Sequence, residues 1–103
     1  MQIKVLNRTH NELKFEIEGE THTLCNLLEK VLLEDETVDM AAYNVPHPLT
    51  PNAVIYIRTK GRRRPETALR EAAKKILAIE KELETAFSKG LGNWKKGKKA
   101  NPP

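Results

Sequence analysis

The chain has 103 residues and a formal net charge of +4, enough for one domain with a modest core. Its single cysteine, Cys25, excludes an internal disulfide framework and suits a reducing cytoplasm, and no apolar run nears the roughly 18 residues that a membrane span needs. Lys89, Lys95, Lys96, Lys98 and Lys99 all follow Ser88, and setting those five aside leaves 13 basic against 14 acidic residues, so a near-neutral domain carries a basic tail, weak evidence for nucleic acid.

Gln2 to Arg8 alternates Ile3 and Val5 with polar residues and predicts a strand. After the polar turn Thr9–Asn11, Leu13, Phe15 and Ile17 alternate with Lys14, Glu16 and Glu18, a half-buried strand that should pair with the first as an antiparallel hairpin. Thr23 suits the N-cap of a fully packed helix carrying Leu24, Leu27, Leu28, Val31 and Leu32. Glu34, Asp35 and Glu36 follow it and oppose the helix dipole, as a solvated turn or as an acidic contact for a basic partner. Val38 to Val45 predicts a third strand. Pro46, Pro48 and Pro51 bracket a stiff loop, and Ala53 to Thr59 is rich in β-formers.

Lys60 to Arg64 is a basic turn around Gly61, leading into a long helix predicted from Pro65 to about Ser88. Leu69, Ala72, Ile76, Ile79, Leu83 and Ala86 recur along it at spacings of three and four, a heptad seam. Its 24 residues would span about 36 Å, whereas a seven-residue strand reaches about 23 Å. The last turns should therefore overrun a small sheet with Ile79, Leu83 and Phe87 uncovered, at roughly 1.5–3 kcal/mol each. A helix from a partner chain would cover them; a helix laid diagonally on its own sheet is the alternative. Gly90 is a reasonable stop, and the residues beyond Ser88 form an expected disordered tail. The expected architecture is one α+β domain in the order ββαββα, a four-stranded, antiparallel-rich sheet with two helices on one face. Residues 1–88 would form the domain and 89–103 the basic tail.

Catalysis leaves no signature. Cys25 lies in a leucine-rich helix, as a small core residue does, and His10, His22 and His47 are too scattered for a metal site. No cofactor is expected. Lys60, Arg62, Arg63 and Arg64 with the lysine tail could neutralise phosphates, which keeps a free nucleic-acid-binding module open as the rival to a pairing subunit. Against it, the chain has only two Tyr, two Phe and one Trp and lacks the aromatic consensus of single-stranded RNA readers. A homodimer through the seam is a third reading.

Three stretches carry a resemblance: His22–Thr23–Leu24 with Asn26–Leu27–Leu28; Ala42–Tyr43 with Pro46–His47–Pro48–Leu49; and Ile57–Arg58–Thr59 followed by Pro65, Ala68–Leu69 and Ala72. Together, from about Leu13 to Ala86, they resemble the small α-like subunits of cellular RNA polymerases, and the compactness is most like the archaeal members. Cys25 departs from a pattern that commonly has a small residue there. The resemblance implies a non-catalytic, cytoplasmic assembly subunit that pairs through its two helices with a larger α-like subunit, called D in archaea. It also implies contacts to other small subunits and the second-largest subunit, catalysis in the large subunits, and DNA reached only through the assembled enzyme. His22, Thr23, Leu24, Asn26 and Leu28 would then form the helix-start part of the interface, and Leu69, Ala72, Ile76, Ile79 and Leu83 the long-helix part.

Overall fold

The computed structural model describes residues 2–19, 22–46, 49, 52–76 and 80–100, without the side chains of His22 and of residues 95–100. Four strands, β1 (Gln2–Arg8), β2 (Glu12–Glu18), β3 (Val38–Asn44) and β4 (Asn52–Thr59), form one sheet in the order β1-β2-β4-β3. Every neighbouring pair is antiparallel. The β1–β2 hairpin expected from alternation is present, with Ile3 opposite Ile17 and Val5 opposite Phe15. Leu13, Phe15, Ile17, Ala53, Ile55 and Ile57 are buried on one face, because period-two alternation sends every second side chain to the same side.

Helix α1 (His22–Leu33) packs on β3, α2 (Pro65–Lys75) on β2 and β4, and α3 (Glu80–Ala100) on β1. Three helices thus cover the sheet where the pattern predicts two. Thr23 lies inside the first turn of α1, which already begins at His22, so it is not the N-cap. Arg64, in extended conformation, precedes Pro65 at the start of α2 and makes no side-chain capping bond. Proline is favoured at that position because its missing N–H would have no helical partner there.

The continuous helix from Pro65 to Ser88 is corrected. Helix α2 ends at Lys75, and the following Ile76 has non-helical φ and ψ of −105° and 76°, its N–H bonded to the Ala73 carbonyl. Helix α3 starts at Glu80; residues 77–79 lie outside the described residues. The break has a tertiary cause. Turning back seats Leu83, Ala86 and Phe87 in the core, satisfying with the chain's own sheet the burial that an overrunning helix would lack.

Helix α3 also runs through Gly90 to Ala100, where a disordered tail is predicted. Gly90 is no stop. A Cβ there would lie 2.7 Å from the Ile3 carbonyl oxygen, so glycine is what lets α3 approach the backbone of β1. Beyond it Leu91 and Trp94 pack against the core, prolonging the apolar stripe of Leu83 and Phe87.

Asn11 latches the two ends of the fold. Its side-chain amide donates to the Thr59 carbonyl at 2.9 Å and the Gly61 carbonyl at 2.8 Å, while the Thr59 hydroxyl donates to the Arg63 carbonyl. Gly61 has φ of +57°, a left-handed turn conformation that a residue without Cβ adopts at little cost. This latch fixes where the β4–α2 loop delivers its arginines.

Candidate functional site

The residues singled out as an interface separate into two groups. Leu28, Leu69, Ala72 and Leu83 are buried within the chain itself, so they form its core in this arrangement, and the expectation that Leu83 and Phe87 stand uncovered is corrected. Leu24 and Ile76 are half-buried, while Thr23 and Asn26 are exposed. The His22 side chain and Ile79 lie outside the described residues.

What the helical layer presents outward is the free face of α1. Leu27 is 41% and Leu33 54% exposed, and Thr23, Asn26 and Lys30 share that side at helical spacing. The expectation of a fully packed α1 therefore fails at Leu27. Sequence reasoning misses Leu33, yet a signal existed: α1 holds more large apolar residues than one buried stripe requires. Between α1 and α2 runs a groove of about 400 Å³, floored by Val31, Leu32 and Ala72 and rimmed by Arg63, Glu71 and Lys75.

The basic loop is less basic than its sequence. Arg63 pairs with Asp35 at 3.3 Å and with Glu71. Arg64 pairs with Glu66 at 3.0 Å and lies 3.2 Å from His10 Nδ1. Lys60 and Arg62 remain exposed. Asp35 is equally committed: the Thr37 hydroxyl, the Thr37 N–H and Arg63 hold its carboxyl below the usual range, against a smaller upward push from burial. Arg63 thus ties the start of α2 to the turn after α1, and Arg64 pairs within α2, leaving a thin electrostatic surface for phosphates.

Glu66 anchors this brace. It accepts from Arg8 Nε at 2.7 Å and from Arg64, and its side chain is only 6% exposed. Burial alone would raise its pKa. Hydrogen bonds from Arg64, from its own backbone N–H and from Arg8 outweigh that, and the net is a carboxyl below its ordinary value. A depressed carboxylate pKa stabilises the fold above the unfolded value, about 4.3, and loses that contribution as pH falls through the folded value. We expect the stability gap between wild type and Glu66→Gln, read by urea unfolding from pH 7 to 2, to narrow below about pH 4. A gap constant down to pH 2 would mean that the brace carries no ionic character.

Among the described residues no group of three or more His, Cys, Asp or Glu side chains could hold a metal ion, and no helix is long and apolar enough to cross a membrane. Cys25 is buried in the core. The described surface thus combines one helical face on an α+β sheet, apolar residues on the outer side of α1 and ion pairs at the start of α2.

The description "RNA polymerase Rpb3/Rpb11 dimerisation domain" matches residues 12–86. Rpo11, a DNA-directed RNA polymerase subunit of Methanosarcina acetivorans, is 43% identical over 89 residues, covering 86% of this chain and 96% of that protein. Rpo11 of Pyrococcus horikoshii is also 43% identical, with the same coverage. The crystal structure of RNA polymerase subunit L from Thermoplasma acidophilum superposes with a TM-score of 0.66 at 28% identity, over 92% of this chain and 93% of that one. The chain belongs to the RNA polymerase Rpb3/Rpb11 dimerisation domain family, among its archaeal Rpo11, or subunit L, members.

Proposed function

We propose that this protein is a non-catalytic assembly subunit of a DNA-directed RNA polymerase, working in the cytoplasm. Its helical face would pair with the larger α-like subunit, the one called D in archaea. The observation that carries the reading is the dimerisation-domain match over residues 12–86, which spans β2 through the docked part of α3. The heterodimer would serve as the platform onto which other small subunits and the second-largest subunit assemble. Catalysis would reside in the large subunits, with DNA reached through the complete enzyme.

The interface proposed on α1 comprises Thr23, Leu24 and Asn26 with His22 and the exposed Leu27 and Leu33, over the buried Leu28. On the long-helix side it comprises Ile76 and Ile79, with the buried Leu69, Ala72 and Leu83 supporting that side from within the chain. The rival reading, a free nucleic-acid module, loses ground to the ion pairs of Arg63 and Arg64. Co-expression with the larger α-like partner tests the proposal. The double variant Leu27→Asp, Leu33→Asp alters only exposed positions, so the chain should stay folded while recovery of the partner falls at least about tenfold, the loss of roughly 1.4 kcal/mol or more of apolar contact. Undiminished recovery would remove the outer face of α1 from the interface.

A further inference from the structure

The lysines after Ser88 have no part in the pairing function. In a disordered tail their charges would be spread through solvent, but α3 is helical to Ala100, and helicity sorts them. At about 100° per residue, positions 89, 95, 96 and 99 fall within an arc of about 120°. Leu83, Ala86, Phe87 and Gly90, which seat α3 on the sheet, take the opposite side. Lys98 falls off the arc. No Asp or Glu follows Glu84, so this half of the helix carries charge of one sign. Attraction to the helix dipole accounts for cations in the last turn only, and Lys89 lies about three turns before the end.

Lys81 and Lys89 are exposed, and among the described residues neither enters an ion pair, unlike Arg63 and Arg64 of the β4–α2 loop. Both border a groove of about 660 Å³ between α3 and β1, to which Gln2, Thr85 and Asn93 add hydrogen-bonding groups and Glu82 a carboxylate. Amide and hydroxyl side chains of that kind hold phosphate oxygens. Lys81 itself lies among Glu80, Glu82 and Glu84, which leaves the weight on the later turns. No aromatic residue shares the arc: Trp94, the only one after Phe87, packs half-buried against the core. Single-stranded nucleic acid is held largely by stacking on aromatic side chains, whereas a duplex offers a rigid line of phosphates. From Lys89 to Lys99 α3 spans about 15 Å, the length over which one duplex strand carries about four phosphates.

We propose that the outer side of α3 is a contact for the phosphate backbone of duplex DNA, made by Lys89, Lys95, Lys96 and Lys99 without reading the base sequence. It goes beyond the pairing function and does not depend on it. The sheet order β1-β2-β4-β3 sets α3, on β1, and α1, on β3, at opposite edges. One chain can therefore hold a partner subunit on α1 and a phosphate backbone on α3 at the same time.

The test is fluorescence anisotropy of a labelled duplex of arbitrary sequence, and of its single strand, titrated with the full chain from about 50 to 200 mM salt. Four neutralised phosphates give an expected slope of log affinity on log salt of about −3.6, a loss of roughly 150-fold over that range. The variant Lys89→Gln, Lys95→Gln, Lys96→Gln, Lys99→Gln should bring the slope below about 1 in magnitude and weaken binding at the lower salt at least about tenfold. Glutamine has a helix propensity close to that of lysine, so helical circular dichroism should hold. If it falls, Lys89→Gln alone decides, by a slope reduced in magnitude by about 1. In the exposed loop, Lys60→Gln, Arg62→Gln should keep the wild-type slope.

Absence of duplex binding at about 50 mM salt, or a wild-type slope in the α3 variants, would overturn the proposal. So would an equal loss in the loop variant, or tighter binding to the single strand than to the duplex.

Discussion

Phe87→Ala is expected to destabilise the isolated chain by about 3–5 kcal/mol in urea unfolding, the usual result of truncating a buried aromatic side chain. The ring is 1% exposed, tilted at 53° to Phe15 and covered on its outer side by the Arg70 guanidinium. Its removal leaves a cavity beneath α3 and deprives Phe15, on the central β2, of its aromatic neighbour. A domain of this size has a total stability of about 5–15 kcal/mol, so the variant should be partly unfolded at about 37 °C and recover when the temperature is lowered. A loss below about 1 kcal/mol would mean that α3 is not docked on the sheet in solution.

The second large effect separates two positions of one seam. Ile76 is half-buried at the end of α2, whereas Leu83 is 1% exposed beneath α3. Ile76→Asp is expected to leave the chain folded and to reduce heterodimer recovery at least about a hundredfold, because the aspartate must be desolvated when the seam closes, a cost of several kcal/mol. Leu83→Asp places the same charge inside the chain's own core, and should lower its stability by more than about 3 kcal/mol before any partner is met. Unfolding curves for each variant alone, set beside co-purification yields, give the comparison. Equal stability of the two would show that Leu83 is solvent-facing; equal pairing to wild type by Ile76→Asp would take the seam out of the interface.

The sheet was legible from its alternation. Leu13, Phe15 and Ile17 could face only one way, so the hairpin followed from side-chain period, while β4 was legible from its β-formers. The α2–α3 break was not legible, since nothing between Pro65 and Gly90 interrupts a helix locally; the force that bends the chain is burial against β1 and β2, which no window of sequence contains. Gly90 misled for a related reason. A glycine after an apolar stripe reads as a helix end, yet here it serves a close approach to the Ile3 carbonyl, a partner 87 positions away in the chain.

The site divides in the same manner. Helix-start residues Thr23 and Asn26 do lie on an exposed face, and Leu33 joins them by geometry that composition hinted at. Arg63 and Arg64 read as free cations because the sequence does not reveal which carboxylates fold back on them. Asp35 lies 28 residues from Arg63, and Arg8, which shares Glu66 with Arg64, lies 58 residues from that carboxylate. Charge that looks available for phosphate is committed to bracing α2, and the remaining exposed pair, Lys60 and Arg62, makes a small patch.

If this chain is one half of a hydrophobically paired polymerase heterodimer, its mass should show it. The most direct measurement is light scattering at low and high salt, on the protein alone and after co-expression with the larger α-like partner. The expected result is a monomer alone and a one-to-one complex that persists at high salt, since apolar burial is not screened. A chain that stays monomeric beside that partner, or a complex that dissociates as salt rises, would contradict it.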